Sequence, residues 1–137
     1  MTVAAIIQAR MGSSRLPGKV LRLLAGKPIL WHIIHRLRKS NTIDRIAIAT
    51  TIESEDDALV EFARAEGIEC VRGSEDNVLA RFALAADALE ADIILRVTGD
   101  APLVDPAVAD KLIEVLQKTD GDYATYAPEG IAIDEGF

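Results

Sequence analysis

A chain of 137 residues has the length of one domain and can bury a substantial core. Half of it (50%) is hydrophobic and 27% is charged, which excludes a disordered or low-complexity protein. The net charge of −7 excludes a general nucleic-acid or membrane-surface binder, since either needs a basic face.

The N-terminal run Val3 to Ala9 is almost continuously apolar, as expected of a strand covered on both faces. It is too short for the core of a signal peptide, and no segment approaches the ~18 apolar residues of a membrane helix. Cys70 is the only cysteine, so no intrachain disulfide forms. The expected compartment is reducing and cytoplasmic, and Cys70 reads as buried filler rather than a nucleophile.

Pro28 to Lys39 reads as a helix, with Leu30, Ile33, Ile34 and Leu37 on one face and Pro28 in the first turn. Arg45 to Thr50 is a second strand. Ser54 to Glu66 is the next helix, with Ser54 and Asp57 spaced like a capping box and Leu59, Phe62 and Ala63 facing inward. Ile68 to Val71 is a short third strand. A helix from Asp76 to Leu89 is expected to bury Val78, Leu79, Phe82, Ala86 and Leu89. Asp92 to Val97 is a fourth strand, Asp105-Pro106 opens a helix to Lys118, and Tyr123 to Tyr126 is a weak fifth strand. Strands alternating with helices predict an α/β domain with a mostly parallel sheet, a Rossmann-like three-layer sandwich.

Ligands of such sheets bind beyond the carboxyl ends of the strands. Arg10 to Lys19, Thr50-Thr51, Arg72-Gly73 and Gly99-Asp100 all fall there. The first of these segments, Arg10-Met11-Gly12-Ser13-Ser14-Arg15-Leu16-Pro17-Gly18-Lys19-Val20, is close to a P-loop but not one. Five residues separate Gly12 from Gly18 where a P-loop has four, and Val20 stands where its hydroxyl should be. Arg10, Arg15, Lys19 and Arg22 nevertheless concentrate positive charge in an acidic chain. Gly12 and Gly18 let backbone N–H groups approach an anion, while Ser13 and Ser14 add hydroxyls. Composition leaves two readings open, a polyphosphate cradle of another kind or a solvated surface loop.

The motifs IIQARMGSSRLPGKVL, LAGKPIL, a strand ending in ATT, Asp56-Asp57, VRGSEDNVLARF and LRVTGDAPLVDP occur in that order over essentially the whole chain. This pattern resembles the sugar-activating cytidylyltransferases, including the acylneuraminate and ketodeoxyoctonate enzymes, and above all their spore-coat polysaccharide branch. The resemblance implies a nucleotide-diphospho-sugar transferase-like fold and transfer of CMP from CTP to a sugar or sugar acid, with pyrophosphate released. The backbone at Ala9 and Arg10 would meet the nucleotide. Arg10, Gly12, Ser13, Ser14, Arg15 and Lys19 would form the phosphate cradle, with Lys19 and Arg15 catalytic. Arg72 and Arg81 would line the nucleotide or sugar side, and Asp100 would bind Mg²⁺. A homodimer and a role in surface polysaccharide synthesis are further implications.

From the residues alone, Asp100 is also readable as a turn residue, Arg81 as a solvated helix position and Asp105 as a helix cap. Arg96, inside a strand, suggests a buried ion pair ahead of a sugar-carboxylate contact. Asn77 and Ala80 replace acids expected from the family. His32 and His35 share a helix face but lack the further ligands zinc requires, and Trp31 reads as packing at the helix start or at a subunit contact. Family members run further, so residues 1–137 are expected to be one nucleotidyltransferase domain lacking the acceptor-sugar part. Pro128 to Ile131 resembles the start of a sugar-facing segment, and Asp134 and Glu135 are left unassigned. The competing readings are a non-catalytic nucleotide-binding module, a nucleotidyltransferase using another nucleotide, and a flavodoxin-like interaction domain.

Overall fold

The computed structural model describes residues 1–12 and 15–125. Ser13, Ser14, Tyr126, Pro128 to Ile131, Asp134 and Glu135 lie outside the described residues. Four parallel strands form the central sheet: β1 (Val3–Gln8), β4 (Arg45–Thr51), β5 (Glu69–Gly73) and β6 (Ile93–Thr98), in the order β5-β4-β1-β6. The chain moves outward from β1 through β4 to β5, then returns to place β6 on the other side of β1. The direction reverses between β1 and β6, where open α/β sheets form their ligand crevice.

Alternation along β1 distributes the core. Ala5 and Ile7 meet α1 (Ile29–Leu37) and α2 (Asp57–Glu66) through Leu30, Ile33, Ile34, Leu37, Leu59 and Ala63. Ala4 and Ile6 face α3 (Val78–Ala88), which contributes Phe82 and Ala85 with Leu89 just beyond its end. The helix α4 (Pro106–Thr119) closes the base of the β6 edge through Ile113, packed with Val3 and Ile93. These are the three expected layers; β1 and β4 are buried on both faces and are correspondingly continuous apolar strands, while the edge strand β6 leaves Ile94, Arg96 and Thr98 exposed.

Local chemistry explains most boundaries. Asp105 accepts a hydrogen bond from the Ala107 N–H at 2.8 Å and Pro106 fills the first turn of α4. Between β1 and α1, a two-stranded ribbon, β2 (Leu23–Leu24) with β3 (Lys27–Pro28), turns through Ala25 and Gly26, at φ 51° and 81°. Two successive positive φ values suit the twist of a tight hairpin.

Three expectations need correction. Ser54 does not cap α2: residues Ser54–Asp56 form a 3₁₀ turn, and no side chain caps the helix that follows. Leu79 is 81% exposed, because α3 presents only the stripe through Val78, Phe82, Ala85 and Leu89 to the sheet. Tyr123 to Thr125 form no strand, and α4 ends at Asp120 in a left-handed conformation, φ 53°.

Candidate functional site

The carboxyl ends of the four strands place Gln8-Ala9-Arg10, Thr50-Thr51, Arg72-Gly73 and Thr98-Gly99-Asp100 along one edge. At its centre β1 and β6 approach unusually closely. The Gly99 N–H donates to the Gln8 carbonyl at 2.8 Å, and a Cβ on Gly99 would stand 2.9 Å from that oxygen and 3.2 Å from the Ala9 Cβ. Only glycine fits there without displacing backbone.

The loop after β1 is anchored from beneath by Asp56. This carboxylate is 1% exposed; it accepts the Met11 N–H at 2.7 Å and the Thr51 hydroxyl. Thr51 in turn accepts the Glu53 N–H at 3.1 Å. The other end of the loop closes on itself: the Gly18 N–H donates to the Met11 carbonyl at 2.8 Å, with Gly18 at φ 69°. Lys19 then starts a 3₁₀ turn, Lys19–Leu21, and the short hairpin follows rather than a helix. The segment is therefore a closed loop pinned at Met11, unlike a P-loop's direct entry into a helix.

The charged side chains divide into three settings. Lys19 reaches across the β1–β6 reversal, its Nζ 3.8 Å from Asp100 Oδ2, with both side chains about half exposed. Arg10 Nη1 lies 2.6 Å from Glu75 Oε1, in the β5–α3 connection. Arg15 is exposed, and Gly12 has the Glu55 carboxylate packed against it.

Arg72 belongs to the same edge, but its guanidinium is fully engaged. Nε donates to the Thr51 carbonyl at 2.7 Å, Nη1 to Asp57 Oδ1 at 2.7 Å and Nη2 to the Glu53 carbonyl at 2.8 Å. It ties β5 to the turn that carries Asp56. Asn77 caps α3, accepting the Ala80 N–H at 3.0 Å, so amide and helix start replace the acids expected there.

Arg81 is not a solvated helix residue. It is 1% exposed, with its stem against Gly73, and its Nε and Nη1 are buried without a hydrogen-bond partner among the described residues. Burial lowers its pKa first and the Arg10 charge lowers it further, while Asp56 and Glu75 oppose both effects. Arg96 is not buried as expected. It is exposed on the α3 side of β6, donates from Nη2 to Gln8 Oε1 at 3.1 Å and lies 5.5 Å over the Phe82 ring.

The single Asp100 carboxylate, half exposed beside the cradle, fits a hard divalent cation that takes its remaining ligands from phosphate and water. Among the described residues no group of three or more His, Cys, Asp or Glu could hold a metal ion. No helix among them is long and apolar enough to cross a membrane. Burial pushes the Cys70 thiol up to about 11, against the Arg72 charge and with help from Asp56, which leaves it unreactive near neutral pH. Trp31 stacks on His35 with centroids 3.9 Å apart, and His35 faces Glu66 at 3.5 Å, so this group packs α1 against α2. A 360 Å³ depression lies at the opposite edge of the sheet, lined by Leu37, Arg38, Arg45 and Glu69, remote from the cradle.

Asp56 and Glu75 are the residues that sequence reasoning missed as parts of the site. Both stand in quoted motifs, Asp56 in Asp56-Asp57 and Glu75 in VRGSEDNVLARF, but an exposed glutamate in a loop has no local signature that names its partner.

Most of the chain is similar to known proteins. The spore coat polysaccharide biosynthesis protein SpsF of Bacillus subtilis is 43% identical over 132 residues, covering 92% of this chain and 55% of SpsF. A cytidylyltransferase structure from Leptospira borgpetersenii superposes with a TM-score of 0.83 at 37% identity, covering 88% of this chain and 51% of that one. A CMP:2-keto-3-deoxy-manno-octonic acid synthetase complexed with CTP gives 0.75 at 27% identity, over 88% and 49%. The chain thus spans about half the length of the curated relatives it matches. The cytidylyltransferase family model matches residues 4–132, and with a parallel sheet that ends in the pinned glycine loop, the chain belongs to the cytidylyltransferase family.

Proposed function

We propose that this protein binds CTP at the β1–β6 edge and transfers CMP to a sugar or sugar-acid hydroxyl, releasing pyrophosphate, in the synthesis of a surface polysaccharide. The observation that carries the reading is Arg81. A guanidinium buried to 1% exposure with two nitrogens unpartnered among the described residues costs free energy, and an anion at the cradle offsets that cost. The similarity to a synthetase whose structure holds CTP supports a nucleotide as that anion.

In this reading Arg10, Lys19 and Arg15 hold the phosphates, with Ser13 and Ser14 completing the loop. The Ala9 and Arg10 backbone and Gly12 allow close approach, and Arg72 holds the wall of the site through Thr51 and Glu53. The acceptor hydroxyl attacks the α-phosphorus in line, a new P–O bond forms as the bond to pyrophosphate breaks, and the rate comes from positioning and charge neutralisation. Asp100 is the ligand for Mg²⁺, which when bound would offset charge on the phosphate oxygens. Lys19, whose Nζ lies 3.8 Å from Asp100 Oδ2, stands where its ammonium would meet the phosphates beside the carboxylate that would hold the metal.

Calorimetric titration of CTP with Mg²⁺, with ATP, GTP and UTP in parallel, tests the proposal. CTP-selective binding is expected, weakened at least tenfold (about 1.4 kcal/mol) by Lys19→Ala and by Arg81→Met. Arg81→Met is expected to unfold at the same or a higher denaturant concentration, because it removes an unpaired buried charge. An Arg81→Met variant that is destabilised yet binds CTP normally would show a structural arginine and sink the reading. Pyrophosphate release with 3-deoxy-manno-octulosonate as acceptor separates transfer from binding alone.

A further inference from the structure

Both cations that reach over the cradle already hold a carboxylate. For Lys19 the partner, Asp100, has its own task as the proposed metal ligand. For Arg10 the partner is Glu75, which lies in the Ser74–Asn77 connection. The contact is short, 2.6 Å, and one Glu75 oxygen occupies one nitrogen of the guanidinium fork. A phosphate would take that fork in two parallel bonds. Arg81 stands close enough for its charge to feel both Arg10 and Glu75, so the carboxylate also lessens the repulsion between the two guanidinium groups.

We propose that Glu75 is the resident counter-ion of the cradle: it occupies Arg10 in the empty protein, must be displaced when the triphosphate enters, and recaptures Arg10 as pyrophosphate leaves. This rests on the reading that Arg10 binds phosphate. Glu75 thereby lowers affinity for every anion and penalises weakly charged ones most. A monophosphate offers too little charge to displace it, whereas a triphosphate can compensate with contacts to Lys19 and Arg81. In return, product release is eased.

The test is a double-mutant cycle read by calorimetry at low salt, with magnesium CTP and inorganic pyrophosphate as probes. Glu75→Gln is expected to tighten both about two- to fivefold, the range of an exposed ion pair. The gain should shrink at high salt. In an Arg10→Met background most of it should be lost, leaving only the smaller part that the Glu75 charge exerts through Arg81. Glu55→Gln, which removes a neighbouring charge packed on Gly12 but not on Arg10, serves as the control and should keep its effect in both backgrounds. Weaker binding in Glu75→Gln would make Glu75 an orienter of Arg10 and overturn the proposal. An equal gain with and without Arg10 would reduce it to a general field effect and overturn it as well. Pyrophosphate binding with the expected cycle but no CTP binding would refute the CTP reading and leave the counter-ion standing. No binding of either probe would overturn both.

Discussion

Replacing Asp56 by alanine should damage the loop and the fold together. The carboxylate is 1% exposed and holds the Met11 N–H at 2.7 Å and the Thr51 hydroxyl, bridging residues 45 apart in the chain. Hydrogen bonds to a charged group contribute about 1.5–3 kcal/mol each, and a donor left buried without a partner costs about 1–3 kcal/mol. The Thr51 hydroxyl can rotate and recover part of its loss, whereas the Met11 amide cannot. The expected destabilisation of Asp56→Ala is therefore about 2–4 kcal/mol, with Asp56→Asn nearer 1 kcal/mol because its amide oxygen still accepts from Met11. Urea unfolding measures this as a lower midpoint at unchanged slope, and amide hydrogen exchange follows Met11 directly. A loss below about 0.5 kcal/mol, with Met11 protection unchanged, would show that Asp56 does not hold the loop.

Two further predictions concern the frame around the site. Gly99→Ala should cost about 2–4 kcal/mol and weaken nucleotide binding. Its Cβ would meet the Gln8 carbonyl at 2.9 Å and Val20 Cγ1 at 3.0 Å and force the β1 and β6 ends apart; an unchanged unfolding midpoint would refute it. Asp110 joins α4 to the α1–β4 connection, accepting the Ser40 hydroxyl, the Thr42 hydroxyl at 2.6 Å and the Asn41 N–H at 3.0 Å. Desolvation raises its pKa, but these hydrogen bonds outweigh it and leave the value below the ordinary carboxylate range. A depressed folded-state pKa means the unfolded chain binds the proton first. The contribution is then complete above the unfolded value near 3.9 and lost as pH falls through the folded one. Unfolding free energies of wild type and Asp110→Asn from pH 2.5 to 6 should differ by a steady, full amount above about pH 5 and converge as pH falls below about 4. A constant difference across that range would refute the assignment.

Local sequence determined much of this protein. Apolar runs of strand length, helix faces such as Leu30, Ile33, Ile34 and Leu37, and the Asp105-Pro106 start of α4 depend on residues within a turn or two of one another. Their periodicity alone therefore predicts a parallel α/β sheet, with the polar segments gathered at the strand ends. The ordered motifs likewise point to the cytidylyltransferases.

Tertiary structure decided what each charge does. Arg72 and Arg81 are both arginines near the end of one strand, yet one is spent on two carbonyls and Asp57 while the other is buried with two nitrogens unpartnered among the described residues. Ser54 had the spacing of a cap, but the neighbouring Asp56 turned inward to a loop 45 residues earlier and the helix began without one. Leu79 had the hydrophobicity of a core residue and remained in solvent because the sheet meets only one stripe of α3. The pairing of Arg10 with Glu75 spans 65 residues. Such outcomes depend on which face of a helix meets which strand and which loops then share an edge. Sequence periodicity reports which residues turn the same way along one element, whereas burial and charge pairing depend on what another element brings against them.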